Sequence, residues 1–352
     1  MEMKLGIIGF GGMAHWHYEN APRAGVKVVA AYDIDPERLK MAREAGLKAY
    51  ENLEDILADQ EINFILVATP NQVHKPLAIA ALRAGKHVMV EKPATLSVAD
   101  WDEMVAESVK AGRILTVHQN RRWDKDYRIM RSVVEKGELG KVYSIESRVM
   151  GTGGAMFGWR GAKEFGGGML LDWGVHLVDQ LVQMYWDNKI VSVYAELRSL
   201  LKQEVDDYDK LILRLDNGIM LQVEIGTYAF RKLPRWFVVG DGGTLKIEDF
   251  SAKNSGYTKP VLSDTPIAPI VVMTEAGPTR MMAPRPPESQ EDFELPVTGI
   301  EAEWTELYKN LIKTMNGEAE LIVTPASVRR VLQVLEALFR SAEEGRSIDV
   351  CL

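Results

Sequence analysis

Strand-like and helix-like segments alternate through the first 120 residues, and strand-like segments dominate the rest of the chain. A glycine-rich run, Gly9-Phe-Gly-Gly-Met-Ala14, lies at the first strand-to-helix junction. These observations predict an α/β domain with a doubly wound parallel sheet, followed by an α+β domain with a mostly antiparallel, open sheet.

The elements follow in order. Leu5–Ile8, Val26–Ala31, Ile62–Ala68, His87–Val90 and Ile114–Val117 read as short buried strands. Met13–Asn20, Pro36–Ala45, Leu53–Ala58, Val73–Ala84 and Val98–Ala111 read as the helices between them, with Gly25, Gly46, Gly85 and Gly112 where the helices should stop. The pattern then changes, so residues 1–122 form one predicted domain and 123–352 the other. After a helix at Asp126–Glu135, strands are expected at Val142–Met150, Ile190–Leu200, Lys210–Leu215, Met220–Thr227 and Trp236–Val239. Asp216-Asn-Gly218 and Gly240-Asp-Gly-Gly243 supply turns, and a helix-bearing insertion spans 169–184. Residues 251–300 hold more than half of the prolines and read as long loops. Helices at Glu301–Asn316 and Pro325–Glu344 and a strand-like Ser347–Val350 close the chain.

Composition narrows the function. A length of 352 residues suits two domains, and 46% apolar with 26% charged residues is ordinary for a globular protein. A net charge of −8 argues against a nucleic-acid partner. No apolar run approaches the roughly 18 residues of a membrane span, and the N-terminus passes straight into a strand without a signal-like segment, so a cytoplasmic location is expected. Cys351 is the single cysteine, which excludes an internal disulfide and a cysteine-based zinc site. His15 and His17 form a His-x-His pair, but residues two apart on a helix do not share a face, so packing is expected and no metal site is assigned.

The glycine run fits Gly-x-Gly-x-x-Gly/Ala in the context a dinucleotide needs. Gly9 permits the tight turn, Gly11 lets the backbone approach a pyrophosphate, and Ala14 allows close helix–strand packing. Phe10, Gly12 and Met13 complete the loop, and the helix N-terminus offers free N–H groups. Asp33 ends the second strand, 22 residues after Gly11, where a carboxylate binds ribose hydroxyls and repels a 2′-phosphate. Ile34 rather than arginine follows it, so NAD is expected over NADP; Asp35, before Pro36, is the helix-cap candidate.

In Gly166-Gly-Gly-Met-Leu-Leu-Asp172-Trp-Gly-Val-His176, read as a buried helix, a polar stripe of Asp172, His176, Asp179 and Gln183 interrupts an apolar surface. The pair Asp172/His176 reads equally as a satisfied ion pair or as a held general base. Asp179 and Gln183 are left without a role.

Together with Ala68-Thr-Pro-Asn71, His74 and Glu91-Lys92-Pro93, these motifs resemble the glucose–fructose oxidoreductase/inositol dehydrogenase (Gfo/Idh/MocA) family along nearly the whole chain. The resemblance implies an N-terminal Rossmann domain and chemistry on a sugar or polyol, usually in a homodimer or homotetramer. It implies that Lys92, Asp172 and His176 form the catalytic set, and that Thr69, Asn71, Glu91 and Lys92 line the nicotinamide end, while His74, which follows the Thr-Pro-Asn loop, reads as structural or as peripheral to the cofactor. It further implies a cis peptide at Lys92–Pro93. Neutral His176 would take the hydroxyl proton, Lys92 would stabilise the alkoxide, and Asp172 would orient His176 or bind a neighbouring hydroxyl.

Gln119-Asn-Arg121-Arg122-Trp123-Asp124 follows the last strand of the parallel sheet, where ligands of open α/β sheets bind. Arg121, Arg122, Trp123, Trp159 and Arg160 are therefore substrate candidates beside Asp172 and His176, the competing role for Arg121 and Arg122 being interdomain salt bridges. The expected activity is NAD-dependent oxidation of a secondary hydroxyl of a sugar, glycoside or polyol. A non-catalytic NAD sensor and a redox-neutral transfer enzyme with tightly held NAD are the alternatives.

Overall fold

The structure, a computed structural model, describes residues 2–153, 156–201, 204–261, 270–281, 290–296 and 299–352. Its first sheet contains β1 (Lys4–Ile8), β2 (Lys27–Tyr32), β3 (Lys48–Tyr50), β4 (Phe64–Val67), β5 (His87–Val90) and β6 (Leu115–Val117). All pairs are parallel, in the order β3-β2-β1-β4-β5-β6. The order reverses between β1 and β4, which opens a crevice at the carboxyl ends of those strands. Every residue of β4 is buried, as expected for a strand covered on both faces by α1 (Gly12–Asn20), α2 (Pro36–Glu44), α3 (Leu53–Ala58), α4 (His74–Arg83) and α5 (Val98–Ala111). Asp35 caps α2 by accepting from the Glu37 N–H at 2.9 Å. The three-residue β3 is an element the sequence pattern did not reveal.

After α6 (Lys125–Glu135) the chain forms β7 (Val142–Met150), then α7 (Val175–Met184), β8 (Ile190–Arg198), β9 (Tyr208–Leu215), β10 (Met220–Gly226), β11 (Trp236–Gly240) and β12 (Gly243–Ile247). Next come β13 (Gly256–Pro260), β14 (Ile270–Thr274), β15 (Gly277–Met281), β16 (Gln290–Glu294), α8 (Glu306–Met315), α9 (Pro325–Glu344) and β17 (Ile348–Asp349). The nine-stranded sheet runs β16-β13-β12-β11-β7-β10-β9-β8-β17, with β7 and β10 its one parallel pair among the described residues. In β9 the alternation of buried Leu211, Leu213 and Leu215 with exposed or half-buried neighbours marks a sheet with one covered face.

Three expectations need correction. Residues 251–300 are not simply loops: β13 and β16 extend the large sheet, held by Tyr257 and Phe293 stacked at 5.1 Å, and β14 and β15 make a separate hairpin. Proline misled the reading because Pro260 sits at the end of a strand near the sheet edge, where a missing N–H is tolerated. Residues 262–269, 282–289, 297 and 298 lie outside the described residues. The penultimate helix begins at Glu306, not at Glu301, because Trp304 turns inward to donate its indole N–H to Asp124 at 2.7 Å. Finally, the segment after the triple glycine is not a uniform α-helix. Leu170–Gly174 is a π-helical turn, and only from Val175 does α7 begin. The extra residue in that turn displaces Asp172 from the i, i+4 relation to His176 that a regular helix would give.

Candidate active site

The carboxyl ends of the parallel strands deliver the glycine loop, Asp33, Ala68–Asn71, Glu91–Lys92 and His118–Gln119 to one side of the sheet. Gly9 has φ +89°, and a Cβ there would sit 2.7 Å from the Ala68 carbonyl oxygen, so only glycine fits where β1 passes β4. Gly11 precedes α1 with no side-chain cap, and around Gly12 the space is open. The first-turn N–H groups are thus free for an anion. Phe10 keeps its ring in the core and donates its backbone N–H to Asp33 Oδ2 at 2.6 Å, while Asp35 N–H bonds Oδ1 at 2.9 Å. The Asp33 carboxylate is thereby fixed at the crevice rim.

A trough follows from these parts. A cavity of about 480 Å³ around Gly9, Asp33, Ile34 and Val73 adjoins one of about 270 Å³ lined by Gly11, Gly12, Met13, Asn71, Glu91, Lys92, Trp159, Arg160 and Gly166–Gly168. Arg38, Ala68, Thr69 and Pro70 line both. A third cavity, also about 270 Å³, shares Met13, Glu91, Lys92, Arg160 and Asp172 with the second and adds Trp16, His118, Asn120, Arg121, Trp173, His176 and Trp304. The free amides, the fixed carboxylate and the two adjoining cavities fit an extended dinucleotide.

At the junction of the last two cavities, Lys92 Nζ donates to Asp172 Oδ1 and to the Asp172 carbonyl, both at 2.7 Å, and Arg160 Nε approaches Oδ1 at 3.6 Å. Burial tends to raise the Asp172 carboxyl, but the Lys92 ammonium and Arg160 guanidinium outweigh it and hold the group below the usual carboxylate range. Lys92–Pro93 is cis. The hydrogen-bond partner of His176 is Gln119, whose Oε1 lies 3.1 Å from Nδ1, and not Asp172. Since Oε1 only accepts, Nδ1 carries the proton and Nε2 is left as an acceptor. Burial, the Lys92 ammonium and the Arg121 guanidinium hold the His176 imidazole well below the usual histidine range, so it is neutral near pH 7.

Several candidates fall elsewhere. Arg122 is buried and bonds Asp179 through Nε at 2.8 Å and Nη2 at 2.6 Å, with further bonds to Ile322 O and Ser327. This ties the loop after β6 to α7 and to the start of α9, and gives Asp179 a structural role. Arg122→Ala leaves Asp179 buried without its cation, and a loss of about 3–5 kcal/mol in a denaturant melt is expected. A loss under about 1 kcal/mol would contradict that role. Trp123 packs on the core outside the three cavities. His74 is buried between Thr69 O at 2.9 Å and Pro93 O at 3.0 Å, so it braces the two loops and is not among the lining residues.

Other site residues escaped the sequence reading. Arg38 reaches Asp33 at 3.5 Å and Asp35 at 3.6 Å; its place one turn into α2 was the available signal. Trp173 and Trp304 flank Arg121, whose guanidinium lies 4.2 Å from the Trp173 ring centre and 6.0 Å from that of Trp304. His17 does more than pack: its Nε2 and His118 Nδ1 both meet Glu91 Oε1, at 2.7 and 2.9 Å.

Fold and site together define a protein with a dinucleotide-binding domain and a second domain that closes a polar cavity beside it. Residues 3–119 match the oxidoreductase family with NAD-binding Rossmann fold, and residues 127–246 match the GFO/IDH/MocA C-terminal domain. The chain belongs to the GFO/IDH/MocA family of NAD-binding oxidoreductases. It is 30% identical over 228 residues to a myo-inositol 2-dehydrogenase of Thermotoga maritima, covering 62% of this chain and 66% of that one. It is 31% identical over 230 residues to a 1,5-anhydro-D-fructose reductase of Ensifer adhaerens, covering 62% and 68%. Across the curated relatives it matches first, the aligned region spans about half to two thirds of their length. Among solved structures, an NAD-binding protein from Listeria innocua is 39% identical with a TM-score of 0.90, covering 99% of both chains.

Proposed function

We propose that this protein oxidises a secondary hydroxyl of a sugar, glycoside or cyclic polyol to a ketone with NAD, residues 1–122 holding the cofactor and 123–352 shaping the substrate pocket. One observation carries the reading: Lys92, Asp172 and His176 converge where the dinucleotide-shaped trough meets a cavity walled by tryptophans and hydrogen-bonding groups. The relatives named for inositol and anhydrofructose chemistry support the same substrate class. When bound, the nicotinamide would supply the hydride acceptor. Gly9, Gly11, Gly12 and Met13 would hold its pyrophosphate side, Asp33 the adenosine ribose, and Thr69, Asn71, Glu91 and Lys92 the nicotinamide end.

The remaining chemistry falls to this chain. His176 Nε2 accepts the hydroxyl proton, and Gln119 holds the tautomer that permits it. The Lys92 ammonium stabilises the oxygen as negative charge grows on it. Asp172 fixes Lys92 through two hydrogen bonds rather than orienting His176. Arg121, braced by Trp173 and Trp304, and Arg160, over the Trp159 ring at 4.4 Å, donate to further hydroxyls.

The test is a panel of inositols, aldoses and glycosides, each with NAD and NADP, followed by reduced-nicotinamide absorbance. Turnover of at least one with NAD is expected, and none with either cofactor would refute the reading. Asp33 predicts NAD preference, and Arg38 lies 3.5 Å from its carboxylate, where it could meet a 2′-phosphate once that charge is gone, so Asp33→Ser is expected to raise NADP use. Wild-type preference for NADP would overturn the role of Asp33.

A further inference from the structure

His118 ends the strand segment beside Lys92 and is buried in the wall of the cavity that holds His176. Its Nδ1 faces Glu91 Oε1 at 2.9 Å, and the same oxygen meets His17 Nε2 at 2.7 Å. His17 Nδ1 in turn accepts from the Tyr308 hydroxyl at 2.6 Å. Burial by itself would raise the Glu91 carboxyl, but His118 and His17 hold it well below the usual carboxylate range. An ionised carboxylate is an acceptor only, so both imidazoles donate to it, His118 through Nδ1. Its Nε2 has no hydrogen-bond partner among the described residues. Buried polar atoms without partners are rare in folded proteins and call for a ligand or a water.

The three ligand-type residues His17, Glu91 and His118 stand close enough to suggest a metal ion. The direct contacts of 2.7 and 2.9 Å have the lengths of N–H···O hydrogen bonds. Lys92, Arg121 and Arg160 of the same wall are donors only, Asp172 is engaged by Lys92, and His176 Nε2 serves the reacting hydroxyl, so a further acceptor has a distinct use there.

We propose that His118 is a specificity-determining residue of the substrate pocket: held by Glu91 as the neutral Nδ1–H tautomer, it accepts at Nε2 a hydrogen bond from a substrate hydroxyl other than the one oxidised. This rests on the sugar or polyol reading above. A substrate lacking that hydroxyl leaves Nε2 unpaired and is discriminated against.

Two measurements on the NAD-loaded full-length enzyme test it. The first is nitrogen NMR of the imidazoles, which requires no substrate; a protonated Nδ1 and bare Nε2 on His118 are expected. An Nε2–H tautomer, or a stoichiometric divalent ion bound by His17, Glu91 and His118, overturns the proposal. The second compares wild type, His118→Asn and His118→Gln on the sugar identified by the panel and on its monodeoxy analogues. In wild type one analogue should lose about 10–100-fold in kcat/KM, mostly through KM. That penalty should vanish in His118→Asn, which keeps an amide facing Glu91, and return in part in His118→Gln. Equal losses on all analogues would mean a merely structural residue and defeat the proposal. A wild type that oxidises no sugar would instead refute the function, while the tautomer still decides for or against a bare Nε2.

Discussion

Replacing His176 by asparagine is expected to lower kcat about 10²–10⁴-fold and to leave NAD affinity unchanged. Asparagine places an amide where Nδ1 now sits, so the Gln119 contact survives while the acceptor at Nε2 is lost. The side chain lines the substrate-side cavity and not the trough, which is why cofactor binding should not respond. Steady-state kinetics and a cofactor titration by tryptophan fluorescence check the two halves of this result. Normal turnover by the variant would remove His176 from the reaction.

Lys92→Met has the second-largest expected effect, a loss of about 10²–10³ in kcat, because an oriented donor to the developing oxyanion disappears. Its pH signature separates it from misfolding. Activity needs neutral His176, whose folded-state value is lowered by burial and then by the Lys92 and Arg121 charges. In wild type the acid limb of kcat/KM should therefore lie below the ordinary histidine range, with activity retained on the alkaline side of it. Removing the Lys92 charge lets the imidazole hold a proton to higher pH, so the acid limb moves up. A downward or absent shift would contradict the coupling of the two groups.

Much of this was legible in the chain because local chemistry dictated it. Gly9 needs a positive φ at the β1 turn, Asp33 ends β2, and Lys92 leaves β5, so each position follows from strand ends and spacing. What lay hidden depended on residues far apart in sequence or on one inserted residue. Salt bridging was the competing role for Arg122, but nothing near it announced that Asp179, on another helix, would be the partner that removes it from the pocket. Trp304 reaches the cavity from beyond the large sheet, a placement no periodicity encodes. The π-turn replaced the expected Asp172–His176 pairing with Asp172–Lys92 and His176–Gln119, because its extra residue rotates Asp172 around the helix. Strands β13 and β16 were concealed by the proline content of residues 251–300, although Pro260 falls at the very end of β13.

Direct hydride removal at this site is the central claim, and isotope transfer tests it most directly. The enzyme is incubated with NAD and a substrate deuterated at the carbinol carbon, and the reduced cofactor is recovered. The account predicts deuterium on nicotinamide C4 of released NADH, in one stereochemical position, in stoichiometric amount with the ketone. Product formed without net NADH, with the label returned to the sugar or lost to water, would contradict it and point to redox-neutral transfer on a retained cofactor.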